Sequence, residues 1–272
     1  MDEAEIAREK TIDVGGAPKI LFLDIETSPE QSATWGVRKI DRVLWHRMGE
    51  ILMVGYKWRG DKKPRVISQK DYAGWSPKKS REKVMMHDIW DLMDEADVIT
   101  GYNGDAFDIK VINARFIKYK IPEPSRYQTS DPLKIIRRVA KFPSHKLEDV
   151  AVYLGLDAKM QTGGKYLWKK VMEGDMQAWK HMEKYCKQDV LVLEQVDERV
   201  EPWNKSPLNR NFYERQGMRC TNILCGSTDF IFRGYDKRRT GYKRRMTCNV
   251  CQKRFLGPFI RDGVEAVKTY NN

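Results

Sequence analysis

The period of hydrophobic and polar positions changes along the chain. An apolar run from Lys19 to Asp24 (KILFLD) predicts a buried strand, and Glu50–Trp58 and Pro64–Ser68 predict two more, parted by the turn-forming Arg59-Gly60-Asp61. Three strands in succession predict antiparallel pairing. From Ser80 to Ala96 the period lengthens, with Val84, Met85, Ile89, Leu92 and Met93 at helical spacing. Val98–Gly101 then reads as a short strand, Ala106–Lys118 as a helix, and Tyr127–Thr129 as an extended piece after Pro122 and Pro124. Further helices are predicted over Pro132–Val139, Leu147–Leu154, Lys165–Met172 and Met176–Val200. Hairpin-like strands followed by alternating helices and strands predict an α/β fold, a mixed sheet flanked by helices.

Composition divides the chain. Residues 1–17 are polar and read as a flexible tail, 18–200 as the main domain, and 201–217, broken by prolines and asparagines, as a linker. A small module over 218–257 and a tail over 258–272 complete the expected organisation. The net charge of +12 is uneven: residues 201–272 hold 15 Lys and Arg against 6 Asp and Glu, so +9 of the +12 lies in the last quarter. A phosphate-bearing partner fits such a surplus. No stretch approaches the roughly 20 apolar residues of a membrane helix. Without an apolar leader at the start, a cytoplasmic protein is expected, in a host cytoplasm if a phage encodes it.

Candidate chemistry begins with acids. Asp24 and Glu26 are two apart on the first strand and so share a face, where two carboxylates invite a hard cation. Taken alone, the pair also fits a solvated acidic strand end. Asp108, in GYNGDAFD, follows a strand at the start of a helix; it fits a site carboxylate or a first-turn acid favoured by the helix dipole, with Asp105 a candidate cap. Tyr185 and Asp189 are four apart on one face of the long helix, beside the apolar Val192 and Val196, where an aspartate needs a partner.

Four of the five cysteines form two hooks, Cys220-x4-Cys225 and Cys248-x2-Cys251, separated by 22 residues that include the expected strands Phe230–Phe232 and Tyr242–Met246. Four thiolates suit a closed tetrahedral Zn²⁺ site, and the spacing resembles a zinc ribbon; reduced buried cysteines are the alternative. Cys186 stands apart as an incidental thiol. Between the hooks runs DKRRTGYKRR, whose Arg238, Arg239, Arg244 and Arg245 interleave with Tyr242. This run suits phosphate gripping and base stacking, but it also fits a solvated hairpin tip or an acidic protein partner.

LFLDIET, YNGDAFD and YCKQD, in that order, resemble the three exonuclease motifs of the DEDD superfamily, which includes ribonuclease D and the proofreading domains of DNA polymerases. The resemblance spans about Pro18 to Val200. Tyr four before the last Asp, with Lys at 184, is similar to the tyrosine type. The NxxxFD of Asn103–Asp108 and His145-Lys146-Leu147 further resemble family B polymerase exonuclease domains and stand-alone phage-type relatives. The resemblance implies a ribonuclease H-like fold and 3′–5′ hydrolysis of DNA. It also implies two Mg²⁺ or Mn²⁺ ions on Asp24, Glu26, Asp108 and Asp189, with Tyr185 orienting the attacking water. As substrate contacts it adds Thr27, Asn103, Phe107 and Lys146, although Asn103 equally suits a turn and Lys146 a plain surface position. Single-stranded DNA or a 3′ end is the expected partner. RNA cleavage, structure-specific endonuclease activity and a non-catalytic binding role are the competing readings.

Overall fold

The computed structural model describes residues 18–36, 39–47, 49–156, 164–207 and 218–261. The expected N-terminal tail, residues 208–217 of the expected linker and residues 262–272 lie outside these. In chain order the first unit contains β1 (Ile20–Thr27), β2 (Gln31–Gly36), β3 (Lys39–Arg47), β4 (Ile51–Trp58) and β5 (Arg65–Ser68). Then come α1 (Glu82–Glu95), β6 (Val98–Thr100), α2 (Asp108–Tyr119), β7 (Gln128–Ser130), α3 (Pro132–Val139) and α4 (Leu147–Tyr153). Two more helices, α5 (Lys165–Glu173) and α6 (Met176–Val200), follow. Contacts divide the chain after Asp197, close to the expected boundary at 200. No described helix is long and apolar enough to cross a membrane.

Five strands form one mixed sheet in the order β5-β4-β1-β6-β7. β1, β4 and β5 pair antiparallel, as their short connections predict, whereas β6 and β7 join in parallel. β1 lies in the middle with both faces covered, hence its nearly unbroken apolar run. Leu21, Leu23 and Ile25 pack with Met85, Ile89 and Met93 of α1 and Ile109, Ile112 and Phe116 of α2. A second core joins Leu52 and Met53 of β4 to Leu167 and Val171 of α5 and Trp179, Met182 and Cys186 of α6. β2 and β3 pair antiparallel in a separate two-stranded sheet that the sequence pattern does not predict. Their apolar positions are broken by Arg38, Lys39, Asp41 and Arg42, which erases a clean two-residue period.

A buried carboxylate joins the sheet to the first two helices. Glu82, 1% exposed at the start of α1, accepts from the Ile51 backbone N at 2.8 Å and from Arg115 Nε at 2.7 Å. The Tyr119 hydroxyl also donates to it, and Arg115 donates in turn to the Gly49 carbonyl. Removing one partner of such a pair strands the other charge in the core. Arg115→Met should therefore lower unfolding free energy by about 3–5 kcal/mol, measured in urea, and a loss below 1 kcal/mol would show that the pair is not desolvated.

The second unit begins within the last turn of α6 and includes β8 (Phe230–Arg238), β9 (Gly241–Cys248) and β10 (Arg254–Arg261), an antiparallel sheet in the order β10-β9-β8. β10 was not foreseen and runs past the expected module boundary at 257. The expected linker is also ordered where it starts: Glu201–Trp203 form a 3₁₀ turn, and the buried Lys253 amine donates to the carbonyls of Glu201 (2.9 Å) and Asn204.

Candidate active site and cysteine cluster

Strand pairing decides which way the first two acids face. Asp24 and Glu26 stand opposite Gly55 and Met53 of β4, whereas Leu23 and Ile25 stand opposite Tyr56 and Val54. The acids therefore share the face that α6 covers. Gly55 lets that helix come close: a Cβ there would lie 2.7 Å from Cys186 Sγ and 2.9 Å from the Cys186 carbonyl oxygen, inside van der Waals contact. Ligand atoms of Asp24, Glu26 and Cys186 all lie within 4.8 Å of one another. Cys186, read from sequence as incidental, is thus a fully buried neighbour of the acid pair.

Asp108 arrives from the other side of β1. β6 pairs with β1 only from Ile20 to Phe22, so the Ile25 N–H has no partner from β6. The Asp108 carboxylate accepts it at 3.1 Å. The loop that makes this reach possible is tight. A Cβ on Gly104 would meet the Gly101 Cα at 2.9 Å, and Asn103 adopts a left-handed φ of 60°. Asn103 N donates to Asp131 Oδ1 at 3.0 Å, which gives Asn103 a turn role. Asp105 caps no helix; its side chain pairs with Lys134.

The fourth acid lies on α6, where the Tyr185 hydroxyl donates to Asp189. Burial, then the fields of Asp108, Glu26 and Asp189, hold the Asp24 carboxyl well above its ordinary range. Burial, followed by Asp189 and Asp108, pushes Glu26 to about 8. Asp108 and Asp189 each rise to about 6, again mainly by burial, with the field of Glu148 on α4 adding to the rise at Asp189. Tyr185 is raised by burial and by Asp189, so its hydroxyl stays a proton donor near neutral pH. Four carboxylates that resist ionising together are an oxygen-rich site suited to hard divalent cations, which would remove their mutual repulsion.

The expected substrate contacts are less uniformly placed. Thr27 ends β1, and its carbonyl accepts from Trp168 Nε1 at 3.1 Å. Phe107 is 47% exposed beside Asp108, and Lys146 is exposed at the start of α4. The Tyr102 hydroxyl donates to the His145 carbonyl at 2.8 Å, tying the Asn103 loop to that start. Glu148 and Gly55 were missed from sequence, since neither a lone helix glutamate nor a strand glycine carries a spacing signal.

In the second unit, the four cysteines of the two hooks converge, with all Sγ atoms within 4.8 Å of one another. Cys220 and Cys251 sulfurs are 3.5 Å apart, and those of Cys225 and Cys248 are 3.7 Å apart. Both separations are too long for disulfides. They approximate the edge of about 3.8 Å that a tetrahedron with metal–sulfur bonds of about 2.3 Å requires. The first hook is turned by Asn222, whose carbonyl and side chain accept from Cys225 N and Leu224 N; the second is closed by Gln252 at φ 60°. These residues fit Zn²⁺. Of the four expected arginines, Arg244 lies over the Phe232 ring at 5.1 Å, Arg238 pairs with Asp236 at 2.7 Å, Arg245 is exposed on β9, and Arg239 is in the β8–β9 turn.

No curated protein matches the chain. Among solved structures it is similar to the family B DNA polymerase from the hyperthermophilic archaeon Pyrobaculum calidifontis, at 18% identity and a TM-score of 0.51. The match covers 69% of this chain and only 25% of the polymerase, a likeness of fold. A model of the RNase_H superfamily, RNase_H_2, matches residues 43–201, a stretch that holds β4, the helix that Asp108 begins and the helix with Tyr185 and Asp189. With more than half of its length in that match and a mixed five-stranded sheet between helices, the chain belongs to the RNase H superfamily.

Proposed function

We propose that the chain is a divalent-metal-dependent 3′–5′ exonuclease of the tyrosine DEDD type, acting on DNA and carrying a C-terminal zinc ribbon that helps to hold single-stranded or frayed 3′ ends. The observation that carries this reading is the convergence of Asp24, Glu26, Asp108 and Asp189 around the acid face of β1, with the Tyr185 hydroxyl on Asp189. Superfamily membership supports a nuclease, and the motif order supports the subtype.

Two Mg²⁺ or Mn²⁺ ions on these four carboxylates would neutralise the phosphodiester and activate water. The chain's own part is to hold and orient. The backbone bond from Ile25 fixes Asp108, and the contact at Gly55, opposite Asp24, fixes α6 against β4. Tyr185, protonated at neutral pH, commits its one hydroxyl proton to a hydrogen bond with Asp189, which leaves its oxygen to align a nucleophile by accepting a hydrogen bond without taking a proton. Cys220, Cys225, Cys248 and Cys251 would hold the structural zinc.

Polarity is tested with oligonucleotides labelled at either end, in DNA and RNA versions, with Mg²⁺ or Mn²⁺. A 3′ label should appear as mononucleotide from the first turnovers, while a 5′ label shortens one nucleotide at a time, and a 3′-terminal phosphorothioate should slow both. Early release of the 5′ label as mononucleotide, or cutting of a circle, would contradict the exonuclease reading. Faster loss of the RNA would make the chain an exoribonuclease.

A further inference from the structure

The sheet of the second unit has one face that changes character along its length. Phe230, Phe232, Tyr235 and Lys237 of β8 stand opposite Cys248, Met246, Arg244 and Tyr242 of β9, so these eight share a face. At one end it is closed: Cys248, Met246 and the neighbouring Phe255 are buried around the cysteine cluster. Toward the hairpin tip it opens, with Phe232 56% and Tyr235 54% exposed. Among the described residues, neither ring belongs to the core around the cysteines. They are held upright by one another: Tyr235 and Tyr242 meet edge to face at 5.1 Å, and the Arg244 guanidinium lies over Phe232 at 5.1 Å.

Exposed aromatic rings on a protein surface call for an apolar or aromatic occupant, and the charge around them says which. Residues 230–261 hold ten Lys or Arg against the single Asp236. An apolar protein partner would have to desolvate this charge, whereas a nucleic-acid strand brings both phosphates and flat bases. In a duplex the base faces are hidden in the stack, and only an unpaired strand offers them along its length. The opposite face is less suited: it carries the aliphatic Ile231 and Leu256, one ring in Phe259, and Arg238 already paired with Asp236.

We infer that the Phe232, Tyr235, Tyr242 and Arg244 face of the C-terminal sheet is a stacking platform for the bases of an unpaired nucleic-acid strand. The inference rests on the proposed nuclease reading for the presence of such a strand, and it adds to Tyr242 two aromatic residues, Phe232 and Tyr235, that the basic run alone did not single out. Rings grip the bases, while the cations at the margin set the salt dependence.

The test measures binding of the full-length, zinc-loaded protein, without added Mg²⁺ or Mn²⁺, to a fluorescent oligo-dT and to a blunt hairpin duplex of equal length. Phe232→Ala with Tyr235→Ala should weaken single-strand binding about 10- to 100-fold and leave the slope of log K against log salt unchanged, because no cation is removed. Arg244→Ala should weaken binding and also flatten that slope by about one unit. Leu256→Ala with Phe259→Ala, on the other face, should change little. Phe232→Leu with Tyr235→Leu keeps apolar bulk without a flat ring and should show the same loss, which guards against a folding artefact; zinc content checks each variant. Unchanged affinity in the ring variants, equal losses from both faces, tighter binding of the duplex, or equal capture of poly-glutamate would each overturn the platform. If wild-type protein binds the oligonucleotide as expected but never cleaves it when Mg²⁺ or Mn²⁺ is added, the nuclease reading fails and the platform stands. Cleavage together with unaltered binding by the ring variants has the opposite meaning.

Discussion

Asp24→Asn should reduce turnover by about 10³-fold or more while making the metal-free protein more stable. Both effects come from the same crowding. Asp24 lies on the covered face of β1, within the fields of Asp108, Glu26 and Asp189, and each ionised neighbour raises the cost of ionising the rest. Replacing one carboxylate by an isosteric amide removes a charge that the fold tolerates only with a cation beside it. The sign follows from proton uptake. Glu26, near 4.5 when unfolded, is held at about 8 in the folded chain, and Asp108 and Asp189 move from 3.8 to about 6. The folded state thus binds more protons between about pH 4 and 8, so the wild-type metal-free protein loses stability as pH rises through that window. Thermal unfolding without Mg²⁺ or Mn²⁺ should show Asp24→Asn ahead of wild type by about 1–3 kcal/mol at pH 8, with the gap closing toward pH 4. Added Mg²⁺ should stabilise wild type far more than the variant. A variant less stable than wild type at pH 8 would mean that the acids are not in conflict, and retained turnover would remove Asp24 from the site.

Cys251→Ser should release the zinc and unfold the second unit while the first stays folded. The described core of this unit centres on Cys220, Met246, Cys248 and Phe255, with few partly buried neighbours. So small a core holds its fold only with a staple. Metal analysis should fall from about one zinc per chain to below about 0.2, and limited proteolysis should cut first beyond residue 200, leaving a resistant fragment with the nuclease core. Among the described residues, the cores of β1, α1 and α2 and of β4, α5 and α6 are built from positions between Leu21 and Cys186. Cys186→Ser serves as the contrast, since that thiol belongs to the first unit, beside Asp24 and Glu26, and should not change the zinc count. Full protease resistance in Cys251→Ser would show that the module stands without metal.

Where one residue type at one spacing dictates one structure, the sequence was a sufficient guide. The strand acids, the helical Tyr185–Asp189 pair and the two cysteine hooks are such cases, because alternation, a four-residue step and a short thiol loop each fix relative position locally. Contacts across the fold were not legible. Glu148 acts on Asp189 from another helix, and Cys186 reaches the acid pair only because Gly55 has no side chain. The β2–β3 pair and β10 were missed for a different reason: charges or a Gly-Pro pair interrupt their pattern, and strand pairing overrides the local signal.

The absence of a side chain at Gly55 also bears on the order in which the molecule assembles. β1 and β4 are close in sequence and can pair early, whereas α6 arrives well over a hundred residues later and must settle directly on Gly55. Settling there brings the charge of Asp189 up to two acids already in place, so the final packing step is electrostatically uphill unless a cation has been captured or protons taken up. A divalent cation held by these acids would therefore favour the closed packing of the helix. Amides of α6 should exchange with solvent faster than those of β1 and β4 at pH 8 without Mg²⁺, and slow selectively when it is added, whereas exchange in α6 indifferent to Mg²⁺ would show that the helix closes without it.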